Sequence, residues 1–423
     1  MRDDAKEQKA AGVGLAVFSG DYCRGAEVVA ALQQDTGYRV VDGQALVAEA
    51  ARLSGMSPGA IERAFSPRDS VFEKFTHEKG GALAWLRRAL AEQLAQPQLL
   101  LAGNVVHLLP REISHYLRVC LIAELPFRLQ QAMAVENLAE TEARRRITAA
   151  DTAKAHWVQA LRGYEDPWAA ELYDMLLPMA ETGAEEAAAL ISRQLQRSAV
   201  QPTDESRQAL ADFQLAAQAG VALVEAGHDG EVAARQGRLT VRITRKVLMF
   251  NRLQDEVQAV LGELPGVEEV VVAVDPRVPE DRQAEIYRKH HRGTPSKVLL
   301  VDDEREFVQT LSERLLFRDV GAAVAHDGQS ALEMLIDDEP EVLVLDLKMP
   351  GIDGIEVLRR VKKIRPEVEV IILTGHGSED DRRICLELGA LAYLRKPVDI
   401  DELEARLQEA HQKVQARRDA GKA

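Results

Sequence analysis

Between positions 296 and 415, five short apolar runs alternate with five amphipathic stretches. The runs fall at 297–301, 321–325, 342–345, 368–373 and 390–394, and are almost unbroken Val, Ile, Leu and Ala. A strand of that composition is apolar on both faces and needs cover on both. Crossover helices between parallel neighbours supply the cover, so the pattern predicts an α/β fold with a five-stranded doubly wound parallel sheet. Ligands of such sheets gather beyond the carboxyl ends of the strands.

The residues at those ends form a chemical set. The first run leads into Asp302 and Asp303, the third into Asp346, the fourth into Thr374 and Gly375, and the fifth into Lys396 and Pro397. A single strand ending in Asp ordinarily caps the next helix. Here three carboxylates, a hydroxyl and an ammonium from four strands meet at one edge. Carboxylates that close repel one another unless a cation sits among them, and a small set of hard oxygen donors suits Mg²⁺. Asp346 is then placed to attack phosphorus, with Lys396 and the metal neutralising phosphoryl oxygens and Thr374 donating a hydrogen bond.

The segments VLLVDDE, VLVLDLKMPGIDGIEVL, VIILTGHG and LGALAYLRKP, in this order and spacing, resemble the response-regulator receiver family over 296–415. The resemblance implies phosphorylation of Asp346 by a histidine kinase or phosphotransfer protein. It implies Mg²⁺ contacts from Asp303, Asp346 and the backbone carbonyl of Lys348, with Asp302 acting through a bound water. Thr374 and Tyr393 would form a switch pair, and the Lys396–Pro397 peptide would be cis. Lys348 and His376, two positions past the aspartate and the threonine, would lengthen the life of the phosphoryl group.

The segment 11–197 opens with an apolar run at 13–18, a turn and a helix over 26–34, and has further strand-like runs at 99–102 and 119–122. That order predicts a second parallel α/β sheet. AVFSGDYCRGAEVVAAL, TGYRVVD and ARRRITAADTAKAHWVQALRGYEDPWAAELYDMLLP resemble the cytidylate kinase-like branch of P-loop proteins. A working phosphate loop needs glycines, a lysine and a small hydroxyl residue so that backbone N–H groups cradle phosphate. The loop Ser19–Gly25 instead carries Asp21, Tyr22 and Cys23, with Arg24 as a partial substitute for lysine. Lys154 stands where an arginine is expected, and Pro178 where an asparagine usually follows Tyr173 and Asp174. The expectation is a degenerate domain that binds or docks rather than catalyses.

A polar stretch at 198–205 separates a middle segment, 203–275, with a helix over 206–225, strands at 231–235 and 239–244, a helix over 251–263 and a strand at 270–274. LPGVEEVVVAV resembles the small α+β fold of BON-like domains, which implies a binding spacer. A linker at 276–295 holds the basic cluster 288–292. The 68 acidic against 53 basic side chains give a net charge of −15, which argues against nonspecific nucleic-acid binding. Three scattered cysteines make a disulfide framework or zinc site improbable and suit a reducing cytoplasm. Neither an export signal nor a membrane-length apolar run is present in the sequence.

These readings predict a phosphoprotein of two-component, phosphorelay signal transduction, passing its signal to its N-terminal domains or to a separate protein. The alternative is a nucleoside monophosphate kinase regulated by its receiver. A DNA-binding regulator ranks last, since no basic recognition helix follows position 415 before the tail QARRDAGKA.

Overall fold

The computed structural model describes residues 12–244, 247–248, 250–276, 278, 285–286, 297–318, 320–375 and 377–420. His376 and the basic cluster 288–292 lie outside them. The N-terminal sheet holds β1 (Gly14–Ser19), β2 (Arg39–Val41), β3 (Leu99–Ala102), β4 (Tyr116–Ile122) and β5 (Met175–Pro178). Their order is β2-β3-β1-β4-β5 and every pairing is parallel. Central β1 is buried almost throughout, as its composition requires. The strands β2 and β5 escaped the sequence reading because both are short edge strands with little to bury. Pro178 ends β5 on that edge, where a missing N–H breaks no ladder.

The longer helices of this region are α1 (Gly25–Thr36), α2 (Gly43–Ser54), α3 (Glu78–Leu94), α4 (Leu125–Glu136), α5 (Glu140–Arg162) and α6 (Ala184–Leu195). They are followed by α7 (Asp204–Glu225), whose start is fixed by a capping box between Thr203 and Ser206. Two faces of α7 serve two cores. Leu210, Phe213 and Ala217 pack into the N-terminal core, whereas Ala219 and Leu223 pack into the middle one. The polar stretch at 198–205 therefore precedes a helix shared by both regions.

The middle region holds β6 (Glu231–Arg235), β7 (Arg238–Ile243), α8 (Phe250–Gly262) and β8 (Glu269–Val274). Here β6 and β7 form an antiparallel hairpin, and β8 lies parallel to β7. The turn uses Gln236 and Gly237, both at positive φ, as a type I′ hairpin turn requires.

The C-terminal sheet contains β9 (Val298–Val301), β10 (Ala322–Ala325), β11 (Val342–Leu345), β12 (Glu369–Thr374) and β13 (Ala392–Arg395). Its order is β10-β9-β11-β12-β13, all parallel. The helices α9 (Arg305–Leu316), α10 (Gly328–Asp338), α11 (Gly354–Ile364), α12 (Glu379–Glu387) and α13 (Ile400–Ala420) alternate with the strands. Two buried clusters, one on each face, fulfil the expectation that these strands need double cover.

This domain is docked to the N-terminal region through its base, the end where strands begin. Phe72 is fully buried within the receiver-side cluster of Leu335, Val357 and Val368. Around it, the Val71 N–H donates to Asp338 at 3.1 Å, Arg68 pairs with Asp337 at 2.7 Å, and Lys297 pairs with Glu78 at 2.7 Å. Glu339, at a left-handed φ of 50°, accepts from Ser57 at 2.5 Å and from Arg365 at 2.8 Å. Lys297 precedes β9 and Asp302 follows it, so at 3.3 Å per residue the docked base lies roughly 16 Å from the opposite edge.

Candidate functional site

At the carboxyl edge of the C-terminal sheet, the carboxylates of Asp302, Asp303 and Asp346 each place an oxygen within 4.8 Å of the others. Parallel pairing puts them there. The Asp346 N–H donates to Val301 and the Asp302 N–H to Ala325, so each aspartate continues the ladder by one bond past its strand. Asp302 and Asp346 are buried and Asp303 is exposed. The Lys396 ammonium lies 2.7 Å from Asp302, 2.9 Å from Glu304 and 3.8 Å from Asp346. The Lys396 N–H donates to the Thr374 carbonyl, the Phe307 ring lies 4.4 Å from the ammonium, and the Lys396–Pro397 peptide is cis, as expected.

Charge balance at this edge is incomplete. Burial raises the Asp302 carboxyl above its ordinary range, against the pull of Lys396. Burial also pulls Lys396 down, but its hydrogen bonds to Asp302 and Glu304 outweigh that and leave it raised. Three carboxylates around one ammonium, itself shared with Glu304, leave an excess of negative charge. An all-oxygen donor set carrying that excess fits a divalent cation. Asp302, Asp303 and Asp346 could hold it; the Lys348 side chain, two positions past Asp346, is exposed.

Asp346 itself is fixed at one oxygen, Oδ1, which accepts the Leu347 N–H at 2.8 Å. The other, Oδ2, faces Lys396 at 3.8 Å. Thr374 is buried at the end of β12. The Tyr393 hydroxyl is shielded from solvent, and a Cβ at Gly377 would lie 1.7 Å from it and 3.1 Å from the Thr374 methyl. Gly377 therefore lies close to both residues of the expected switch pair.

Sequence reasoning placed Asp302, Asp303, Asp346, Thr374 and Lys396 on this edge, and the fold brings them together. It passed over Glu304, Phe307, Gly354 and Gly377. Glu304 stands in the quoted VLLVDDE segment, so its nearness was visible but not its pairing with Lys396. Gly354 is demanded by close approach: a Cβ there would lie 2.1 Å from the Asp346 carbonyl oxygen. His376, expected to lengthen the life of the phosphoryl group, lies outside the described residues.

The N-terminal loop between β1 and α1 is arranged oppositely. Asp21 forms an ion pair with Lys154, and its carbonyl accepts Arg128 Nε at 2.8 Å. Arg128 is further held by both oxygens of Asp151, at 2.8 and 2.7 Å. Arg24 adopts a left-handed φ of 56° and stacks 5.3 Å over Phe127. The Gly20–Gly25 spacing is that of a phosphate loop, yet Ala26 and Glu27 follow it where such loops carry Lys and Ser or Thr. Burial pushes the Cys23 thiol up to about 11, which leaves it an inert core group.

Residues 298–408 match the response regulator receiver domain, and residues 17–181 match the cytidylate kinase-like family. Neither match extends over the middle region. The response regulator MprA of Mycobacterium ulcerans is 40% identical over 111 residues, 26% of this chain and 48% of that protein. MprA of Mycobacterium avium is 39% identical over 111 residues, 26% of this chain and 49% of that protein. The chain spans about half the length of these curated relatives. Among solved structures, the receiver domain of Francisella response regulator 1452 shares 33% identity, covering 28% of this chain and 98% of that one with a TM-score of 0.27. A Burkholderia pseudomallei response regulator, solved with a phosphorylated aspartic acid, a calcium ion and citrate, shares 28% identity, covering 28% of this chain and 71% of that one with a TM-score of 0.26.

Proposed function

We propose that this chain, whose residues 298–408 are a response-regulator receiver domain, is a two-component signalling protein phosphorylated on Asp346. The observation that carries the reading is the uncompensated trio of Asp302, Asp303 and Asp346 with Lys396 beside it. A carboxylate oxygen of Asp346 attacks the phosphorus of a phosphohistidine donor. The P–N bond breaks, its electron pair goes to the imidazole, which takes up a proton from water, and an acyl phosphate remains on Asp346. Asp302, Asp303, Asp346 and the Lys348 carbonyl would hold Mg²⁺, which supplies positive charge to the phosphoryl oxygens when bound. Lys396 supplies a second positive charge from the chain itself, and the Leu347 N–H holds the carboxylate in line. Thr374 then donates to a phosphoryl oxygen and Tyr393 follows it, changing the surface of β13 and α12. The docked base offers a route to the N-terminal domains, and that surface offers one to a separate protein.

The N-terminal domain fits a non-catalytic role, because the Asp21 carboxylate holds Lys154 where a phosphate would. One experiment tests both parts. The protein is mixed with MgCl₂ and labelled acetyl phosphate, and separately with ATP and CMP while ADP is followed. The expected result is Mg²⁺-dependent labelling that Asp346→Asn abolishes, with no ADP formed. Labelling that survives Asp346→Asn would overturn the phosphoacceptor assignment, and ADP production would favour the kinase.

A further inference from the structure

A cavity of about 1640 Å³ opens where the N-terminal, middle and receiver regions meet. None of Asp21, Arg24, Arg128 and Lys154 lines it, nor do Asp302, Asp346 and Lys396. It is separate from both edges described above. Its volume exceeds the roughly 300–1,000 Å³ of most small-ligand sites, so selectivity must come from a part of its wall.

One part of that wall is cationic. Arg87 on α3 and Arg162 at the end of α5 both line the cavity. Arg162 donates to the Leu109 carbonyl. Arg87 makes no hydrogen bond or ion pair among the described residues. Three further cations on the cavity wall are neutralised, Lys297 by Glu78 at 2.7 Å, Arg365 by Glu339 at 2.8 Å and Arg417 by Glu369 at 2.7 Å, and Arg235 on the same wall is exposed to solvent.

Burial pulls both guanidinium groups down from their ordinary values, with Glu231 opposing it at Arg87 and Glu112 at Arg162. The two arginines also repel each other, and Arg162 adds to the burial that lowers His107 alongside. Both guanidinium groups are half-buried, and Arg87 lacks a hydrogen-bond or ion-pair partner among the described residues although Glu231 lines the same cavity. A partly desolvated cation left in that state is costly. The adjoining wall is apolar, formed by Leu83, Ala84, Leu161 and Phe213.

We propose that this cavity binds a small amphipathic anion, a carboxylate or phosphoryl head on an apolar body, with Arg87 contacting the head. Lys297 and Arg365, at the base of the receiver, line the same cavity.

Isothermal titration of the full chain with octanoate, octyl phosphate, 1-octanol and acetate separates head from body. Saturable one-to-one binding of octanoate or octyl phosphate is expected, and the tighter of the two identifies the head. Arg87→Met should weaken binding of the anions by about tenfold or more, the scale of one charge-assisted contact. Acetate, which keeps the head but lacks the apolar body, should bind at least about a hundredfold more weakly than octanoate. 1-Octanol should bind the variant and the parent equally. Far-UV circular dichroism and the thermal unfolding of the N-terminal half serve as the folding control, and Arg87→Gln replaces Arg87→Met if the latter does not fold. Binding unchanged in the variant, 1-octanol binding as tightly as octanoate, or no binding of any probe would each overturn the proposal.

Discussion

Two loops of this molecule stand where phosphate-handling sites were expected, and they differ in how their charges are settled. At the receiver edge, three carboxylates share one ammonium and are left in excess. In the N-terminal loop, Asp21 and Lys154 neutralise each other, and Arg128 is closed off by Asp151. An unsettled charge set marks a place that awaits a ligand, because leaving it unsettled costs stability in the apo protein. A settled set has become structure. The most direct way to break this contrast is to change one aspartate on each side. Asp346→Asn should remove phosphorylation to background, whereas Asp21→Asn should leave labelling by acetyl phosphate unchanged. Labelling that fell equally in both would mean the two edges are coupled.

The next largest effect concerns what joins the two halves. Phe72 is fully buried against receiver residues, and Phe→Ala in a core typically costs about 3–5 kcal/mol. Phe72→Ala should therefore loosen docking, with protease cleavage appearing between residues 57 and 78 while phosphorylation persists. The measurement is cleavage-site mapping beside labelling. If labelling were lost as well, the base would be needed to shape the catalytic edge.

A pH titration separates the two halves again. Burial, helped by Arg162, lowers His107 from 6.5 to about 3. The unfolded chain takes up a proton below about pH 6.5 that the folded chain refuses until about pH 3. Stability is therefore whole above 6.5 and is lost as pH falls through that window, by an amount on the order of a few kcal/mol. His107→Phe should flatten the acid limb of thermal stability for the N-terminal half only. An unchanged limb would mean that His107 is not the group responsible.

A smaller effect tests the close approach behind Asp346. Gly354→Ala places a Cβ 2.1 Å from the Asp346 carbonyl oxygen, against backbone that has nowhere to move. Overpacking of this kind costs about 1–3 kcal/mol. The receiver should lose that much in chemical denaturation and label more slowly with acetyl phosphate, since the shift falls on the nucleophile's own backbone.

Legibility from sequence followed the same divide. Receiver strands are continuous apolar runs that end on the residues gathered at the carboxyl edge, so strand and edge could be read together. N-terminal β2 and β5 bury little and left no comparable run. What sequence could not carry was pairing across distance: Lys396 with Glu304, Tyr393 over Gly377, Phe72 inside a domain more than two hundred positions away. The long helix α7 was legible as a helix, but its division between two cores depends on which face meets which partner. Composition does not encode that.

The smallest effect is the sharpest test of the contrast itself. Asp21 is 43% exposed and Lys154 only 12%, so their pair is part screened by water. Asp21→Ala leaves the less exposed partner, a cation, without its counter-charge. If the loop's charges are purely structural, the variant loses about 1 kcal/mol of N-terminal stability. Because Lys154 is then free, inorganic phosphate should restore part of that loss, and it should do nothing for the parent. Stabilisation of the parent by phosphate would show that Asp21 does not close the loop, and the two edges would then differ in degree rather than in kind.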